Sequence, residues 1–166
     1  MGNYLGFPLL MIAAALQVTF VPQIRVLGGE PDLIFLLVIS WALNARLEEG
    51  VAWAFVGGIA RDLLTAAPTG ASVLGLVILV FAIDRLKQQV FGVGLITLVA
   101  LVVGGTFLQK LIYMAVITFA GYQVRPLDML TYVILPTVAY NLVVIWPIYW
   151  FTRRFLRPSA EPRRIS

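Results

Sequence analysis

The sequence predicts an all-α integral membrane protein of six transmembrane helices. It reads as one domain over residues 1–157 followed by a basic tail at 158–166. Three observations carry this. The 166-residue chain is 61% hydrophobic and 12% charged, with a mean hydropathy of +0.96, more apolar surface than a water-soluble domain of this size hides. Its apolar residues fall into six blocks separated by Gly, Pro and charged residues. Its basic residues collect on alternate connections, as in a multi-pass protein.

The first block, 4–24, lacks the basic n-region of a signal peptide and is expected to remain as an uncleaved span; it contains Gln17. Gly6 stands where a myristoylation signal needs Ser or Thr. The second block, 32–43, opens at Pro31-Asp32, a helix start with the restricted proline just before the first turn. The third, 49–64, follows Glu48-Glu49, which suit a helix N-terminus. The fourth, 69–83, ends at the charged stretch Asp84, Arg85 and Lys87. Blocks two to four fall short of the roughly 20 residues a vertical span needs, which predicts tilted helices in a thinned bilayer or polar flanks used as interfacial turns.

The fifth block, 91–120, is interrupted only by Gln109 and Lys110. It is long enough to require tilting, a bend at Gly104-Gly105 or an interfacial end, with Gly121 as the stop. The sixth, 129–155, carries Pro136 and Pro147, both predicted kinks. Trp146, Tyr149 and Trp150 form an aromatic belt before Arg153. With six spans both termini share a side, together with Arg46, Arg85, Lys87, Arg153, Arg154, Arg157, Arg163 and Arg164; only Arg25 and Arg125 fall opposite. That bias predicts cytoplasmic termini.

The net charge of +4 is concentrated in the tail, so it points to a cytoplasmic anchor beside the lipid bilayer and no nucleic acid. With no Cys and no His, thiol chemistry, Fe–S ligation and the commonest general base are excluded. Gly57-Gly58 lies inside a span, not in a phosphate-cradling loop. No catalytic constellation, metal site or cofactor is expected.

The candidate site is the segment 50–70, where charges sit among apolar residues. A charge at membrane depth costs roughly 2.5–3.5 kcal/mol on insertion scales and persists only if something satisfies it. Gly50, Ala54, Gly58 and Asp62 recur every four residues and share one helix face, with Gly57 and Arg61 in the adjacent row. Small residues on a stripe let a second helix approach closely, either within the fold or from a partner. Arg61 suits the negative C-terminal end of its helix, whereas Asp62 does not and needs a separate donor. Lys110, at a compatible depth in the fifth span, is the predicted partner, in a structural ion pair locking the third helix to the fifth. Gln17 and Asn141 are predicted interhelical hydrogen-bonding residues, and Tyr140-Asn141 is also placed to line a cavity.

The order Pro31-Asp32, apolar span, Gly50, Gly57-Gly58, Asp62, Pro68, Gly70, apolar span, charged loop resembles the bacterial rod shape-determining MreD family over nearly the whole chain. The resemblance implies a non-enzymatic plasma-membrane scaffold of the cell-wall elongation machinery. It implies direct binding to the bitopic protein MreC. It also implies indirect links to MreB filaments, to a RodA-type SEDS glycosyltransferase and to a class B penicillin-binding transpeptidase. The family fold is similar to the substrate-binding subunit of energy-coupling-factor transporters. Gly57, Gly58, Asp62, Pro68 and Gly70 match the family's central pattern and are implied to shape the third helix and its following turn. Two other readings stand beside this one: a vitamin-capture subunit of a transporter, and an ion or proton relay using Asp62 and Lys110.

Overall fold

The structure is a computed structural model that describes residues 3–26, 28–65, 70–89, 94–123 and 125–155. Pro68 and the tail 158–166 lie outside the described residues. Among the described residues six helices follow in order: α1 (Asn3–Thr19), α2 (Leu33–Asn44), α3 (Leu47–Leu64), α4 (Ala71–Gln89), α5 (Leu95–Phe119) and α6. Helix α6 is continuous, composed of a first turn Pro126–Met129, a π-helical segment Leu130–Ile134 and the long stretch Leu135–Phe155. A short 3₁₀ turn, Val21–Ile24, follows α1. Among the described residues the only β pairing is an isolated bridge between Val26 and Gly29. Two helices, Leu95–Phe119 and Pro126–Arg154, are long and apolar enough to cross a bilayer on their own.

Helix α2 is the centre of the fold. It is apolar all round because it is covered all round: every residue from Ile34 to Leu43 is buried. Helices α1, α3, α4 and α6 pack on it, and α5 closes the bundle against α4 and α6. The larger core cluster joins Phe35, Ile39, Leu76, Leu79, Val102 and Ile145, drawn from α2, α4, α5 and α6. Its 12 residues cover about 18 Å, well under the roughly 30 Å of a hydrocarbon core. At its C-terminal end Lys87 Nζ donates to the carbonyls of Ala42 and Ala45 at 3.0 and 2.7 Å, satisfying groups that the last turn of α2 leaves open. Lys87 lies in the last turn of α4, which runs to Gln89, past the apolar block ending at 83.

The small-residue stripe on α3 is consumed inside the molecule. Gly50, Ala54, Gly57, Gly58 and Asp62 are all buried, and α3 and α4 make the most extensive helix contact of the fold. At Gly58 the backbone of Val73 approaches so closely that an added Cβ would lie 2.6 Å from its Cα. A Cβ at Gly50 would meet Val80 at 3.0 Å, and one at Gly57 would meet Val38 at 2.9 Å. The stripe thus faces α4 and its neighbouring row faces α2, so neither is free for a partner helix.

Two glycines are required by the backbone. Gly70, just before α4, has φ +104° and Gly121, just after α5, has φ +90°, values that side chains with a Cβ rarely adopt. The π-helical segment ends two residues before Pro136. There the Leu135 N–H reaches the Leu130 carbonyl, five residues back, and the widened turn accommodates the proline.

Candidate functional site

One end of the bundle carries nearly all of its buried polar groups. The chain order puts the end of α1, the connection into α2, the end of α3, the start of α4, the second half of α5 and the start of α6 there, and side chains from these segments surround a cavity of about 910 Å³. Gln17, Arg25, Glu30, Arg61, Ser72, Gln109, Lys110 and Tyr113 all line it, with Arg125, Asp128 and Tyr132 from α6 and the loop before it.

Arg61, on the wall of this cavity, belongs to a buried ion pair. Arg61 Nη2 lies 2.6 Å from Asp32 Oδ2, and the side chains are 14% and 9% exposed. Arg61 Nη1 also donates to Gln109 Oε1 at 3.1 Å and to Ser72 Oγ at 3.2 Å. A single guanidinium therefore ties α3 to α2, α4 and α5, using the several fixed donors that a lysine lacks. Asp32 has a second role as the N-cap of α2, where its Oδ1 accepts from the Phe35 amide at 3.1 Å. The signal for this pairing was present in the Pro31-Asp32 helix start, but only the packed structure brings it to Arg61.

Asp62 does not pair with Lys110, which corrects the expected lock between α3 and α5. Its carboxylate accepts from the Gly70 amide at 2.6 Å and from the Ser72 amide at 3.1 Å. The donors it needs are thus the free N–H groups at the start of α4, where the helix dipole favours an anion. The end of α3 disfavours the charge and the start of α4 holds it. Asp62→Ala will cost about 1–3 kcal/mol, because one buried and one part-buried amide lose their acceptor. Asp62→Asn, which keeps one acceptor oxygen, should recover part of that. Chemical unfolding midpoints in detergent check both; an alanine variant as stable as the parent would refute the capping role.

Lys110 has no hydrogen bond or ion pair among the described residues, and lines the cavity. Beside it, Gln109 is 4% exposed and its Nε2 has no partner, since only its Oε1 is engaged by Arg61. Gly75 makes room for this amide: a Cβ there would lie 2.7 Å from Gln109 Oε1. The relay reading loses its paired groups, because Asp62 is committed to backbone amides and Lys110 is not bonded to it.

Gln17 and Asn141 both bind across helices. Gln17 Nε2 donates to the Pro31 carbonyl at 3.0 Å and its Oε1 accepts from the Leu33 amide at 2.8 Å. Asn141 is fully buried rather than on a cavity wall: its Oδ1 accepts from the Asp32 amide at 2.9 Å and its Nδ2 donates to Thr106 Oγ1 at 3.0 Å. Tyr140 donates its hydroxyl to the Ile24 carbonyl at 2.6 Å. The sequence marks Gln109 only as an interruption of the fifth block, and it does not mark Ser72 or Thr106, because a small hydroxyl is common in apolar helices and carries no periodic signature. The rim carries two further pairs, Arg25 with Glu30 and Arg125 with Asp128 at 4.0 Å.

Compared with known proteins, residues 2–158 match the family model described as rod shape-determining protein MreD. Searches of curated proteins and of solved structures give no match.

Proposed function

Because the chain belongs to the MreD family of rod shape-determining proteins, we propose that it acts as a multi-pass scaffold of the cell-wall elongation complex. The family is one of membrane proteins with a role in cell shape. In this reading the protein holds MreC directly in the plasma membrane, with both termini cytoplasmic. Through MreC it supports the RodA-type SEDS glycosyltransferase and the class B penicillin-binding transpeptidase, and it reaches MreB indirectly. It performs no reaction and needs no cofactor. The family match over 157 of 166 residues carries the proposal. A fold similar to the substrate-binding subunit of energy-coupling-factor transporters belongs to the same reading.

This reading extends to where the partner docks. The glycine stripe of α3 is spent on α4, so a partner helix must use a face that internal packing leaves open. Helix α5 offers one: Ala100 and Gly104 are exposed one turn apart, and nothing lies within 4 Å of a Cβ added at Gly104. Small residues four apart suit close approach by a single-span partner. The test is co-purification with MreC in mild detergent. Gly104→Leu is expected to lower the MreC recovered several-fold while leaving the thermal midpoint unchanged. Absence of MreC from the wild-type preparation would sink the scaffold reading; recovery unaffected by Gly104→Leu would sink the α5 face.

Capture of a small molecule for transport is the second reading, and the polar cavity favours it. Specific stabilisation by a vitamin in a thermal-shift screen is the observation that would promote it.

A further inference from the structure

The end of the bundle opposite the polar cavity carries a second opening. There α1 and α3 begin and α4 and α6 end. Arg46, Glu48, Asp84, Lys87 and Arg153 all belong to this end, which sets it at the level of lipid head groups. Between the first turns of α1 and α3 lies a groove of about 370 Å³, lined by Phe7, Glu48, Glu49, Ala52, Trp53 and Val56. Packing holds its wall in place. The Trp53 ring lies against that of Trp41, with centroids 5.0 Å apart. Gly6 brings α1 onto both rings, because an added Cβ would strike them. Phe7 and Val56 stay exposed along the groove. At its head-group end Glu49 is half-buried, with no hydrogen bond or ion pair among the described residues. Glu48 has only Arg46, at 3.8 Å, and both of those side chains are largely exposed.

We propose that this groove binds a membrane lipid with a primary-amine head group, of which phosphatidylethanolamine is the simplest. Its acyl chain lies along Phe7, Ala52, Trp53 and Val56, and its ammonium meets Glu49 and Glu48. Size favours a lipid over a protein helix. A helix is about 10–12 Å across with its side chains, whereas this volume is at the low end of small-molecule sites and takes a single chain. Charge selects the head group. Two carboxylates repel a lipid whose only charge is its phosphate. A half-buried carboxylate without a partner gains most from a donor that is itself charged. A primary ammonium brings three N–H donors, as a lysine does, and a choline brings none. The phosphate of the same head group has the open guanidinium of Arg46 as its neighbour. Cation and anion of the zwitterion thus each meet the opposite charge. This inference does not depend on the scaffold reading, since it needs only a bilayer around the chain.

The test is thermal unfolding of the purified full-length protein in neutral detergent. Three probes are titrated: dihexanoylphosphatidylethanolamine, dihexanoylphosphatidylcholine and dihexanoylphosphatidylglycerol. The ethanolamine lipid is expected to raise the midpoint saturably, by roughly 5–10 °C at a hundredfold excess over its Kd. The other two are expected to give much smaller shifts. Glu49→Gln should remove the preference for the amine. Ala52→Phe should fill the groove and abolish the shift while leaving the unliganded midpoint unchanged, because Ala52 is exposed. The wild-type titration decides without the variants. Equal shifts with all three lipids would mean that any acyl chain enters, and a larger shift with phosphatidylglycerol would mean that the arginines of this end select the lipid. No saturable shift would leave the groove to a protein segment, this chain's own basic tail included. Each of these overturns the proposal, as does an ethanolamine shift that survives both variants.

Discussion

Replacing Arg61 with methionine will destabilise the fold by about 3–5 kcal/mol, the range for removing one partner of a buried ion pair. The loss exceeds that of a surface pair because the guanidinium is 14% exposed and its carboxylate 9%. It leaves Asp32 charged at the head of α2, and it strips Gln109 Oε1 and Ser72 Oγ of their donor. Asp32→Asn separates the two roles of the aspartate. An asparagine still caps α2 by accepting from Phe35, so the loss measured is that of the charge opposite Arg61. The double variant should be more stable than the sum of the single losses predicts, by more than about 0.5 kcal/mol, since each single leaves an uncompensated charge that the double removes. Unfolding midpoints of the four proteins in one detergent measure this. Additive losses would mean that the pair does not hold the bundle together.

Gly58→Leu will abolish the folded protein, and Gly58→Ala will cost about 1–3 kcal/mol. The reason is the nature of the obstacle. At Gly50 and Gly57 the first atom met is a valine methyl at 3.0 and 2.9 Å, a side chain rather than backbone. At Gly58 it is the Cα and N of Val73, backbone inside α4, so α3 and α4 must separate along the most extensive contact in the fold. Gly104→Leu is the control, because it adds the same side chain where no atom lies within 4 Å. Yields of monodisperse protein and thermal midpoints discriminate the two. A Gly58→Leu protein that purifies as the parent does would show that α3 and α4 are not packed as described.

These expectations divide along the line between pattern and placement. The all-α class, the helix start at Asp32, the stop at Gly121 and the importance of the α3 stripe were legible because each is local: an apolar run, a cap, a glycine, a four-residue repeat. The partners of the charged residues were not. Asp62 was matched to Lys110 by depth along two straight helices, and depth says nothing of rotation about a helix axis. A rotation of about 100° per residue decides that Arg61 faces the bundle axis while its neighbour Asp62 faces the start of α4. Backbone amides are also invisible as partners in a sequence, because every residue carries one. Yet two of them satisfy Asp62.

By itself the sequence determined that this chain is helical, apolar enough for a bilayer, and marked by charges that a bilayer would not tolerate unaided. It also carried the residue order by which the family is known. Only the packed bundle decided which charge answers which, and that the helix ends enclose a polar cavity with Lys110 in its wall. The physical reason is that burial of apolar surface depends on a residue's kind, whereas an ion pair or a cap depends on where two groups far apart in the chain come to rest.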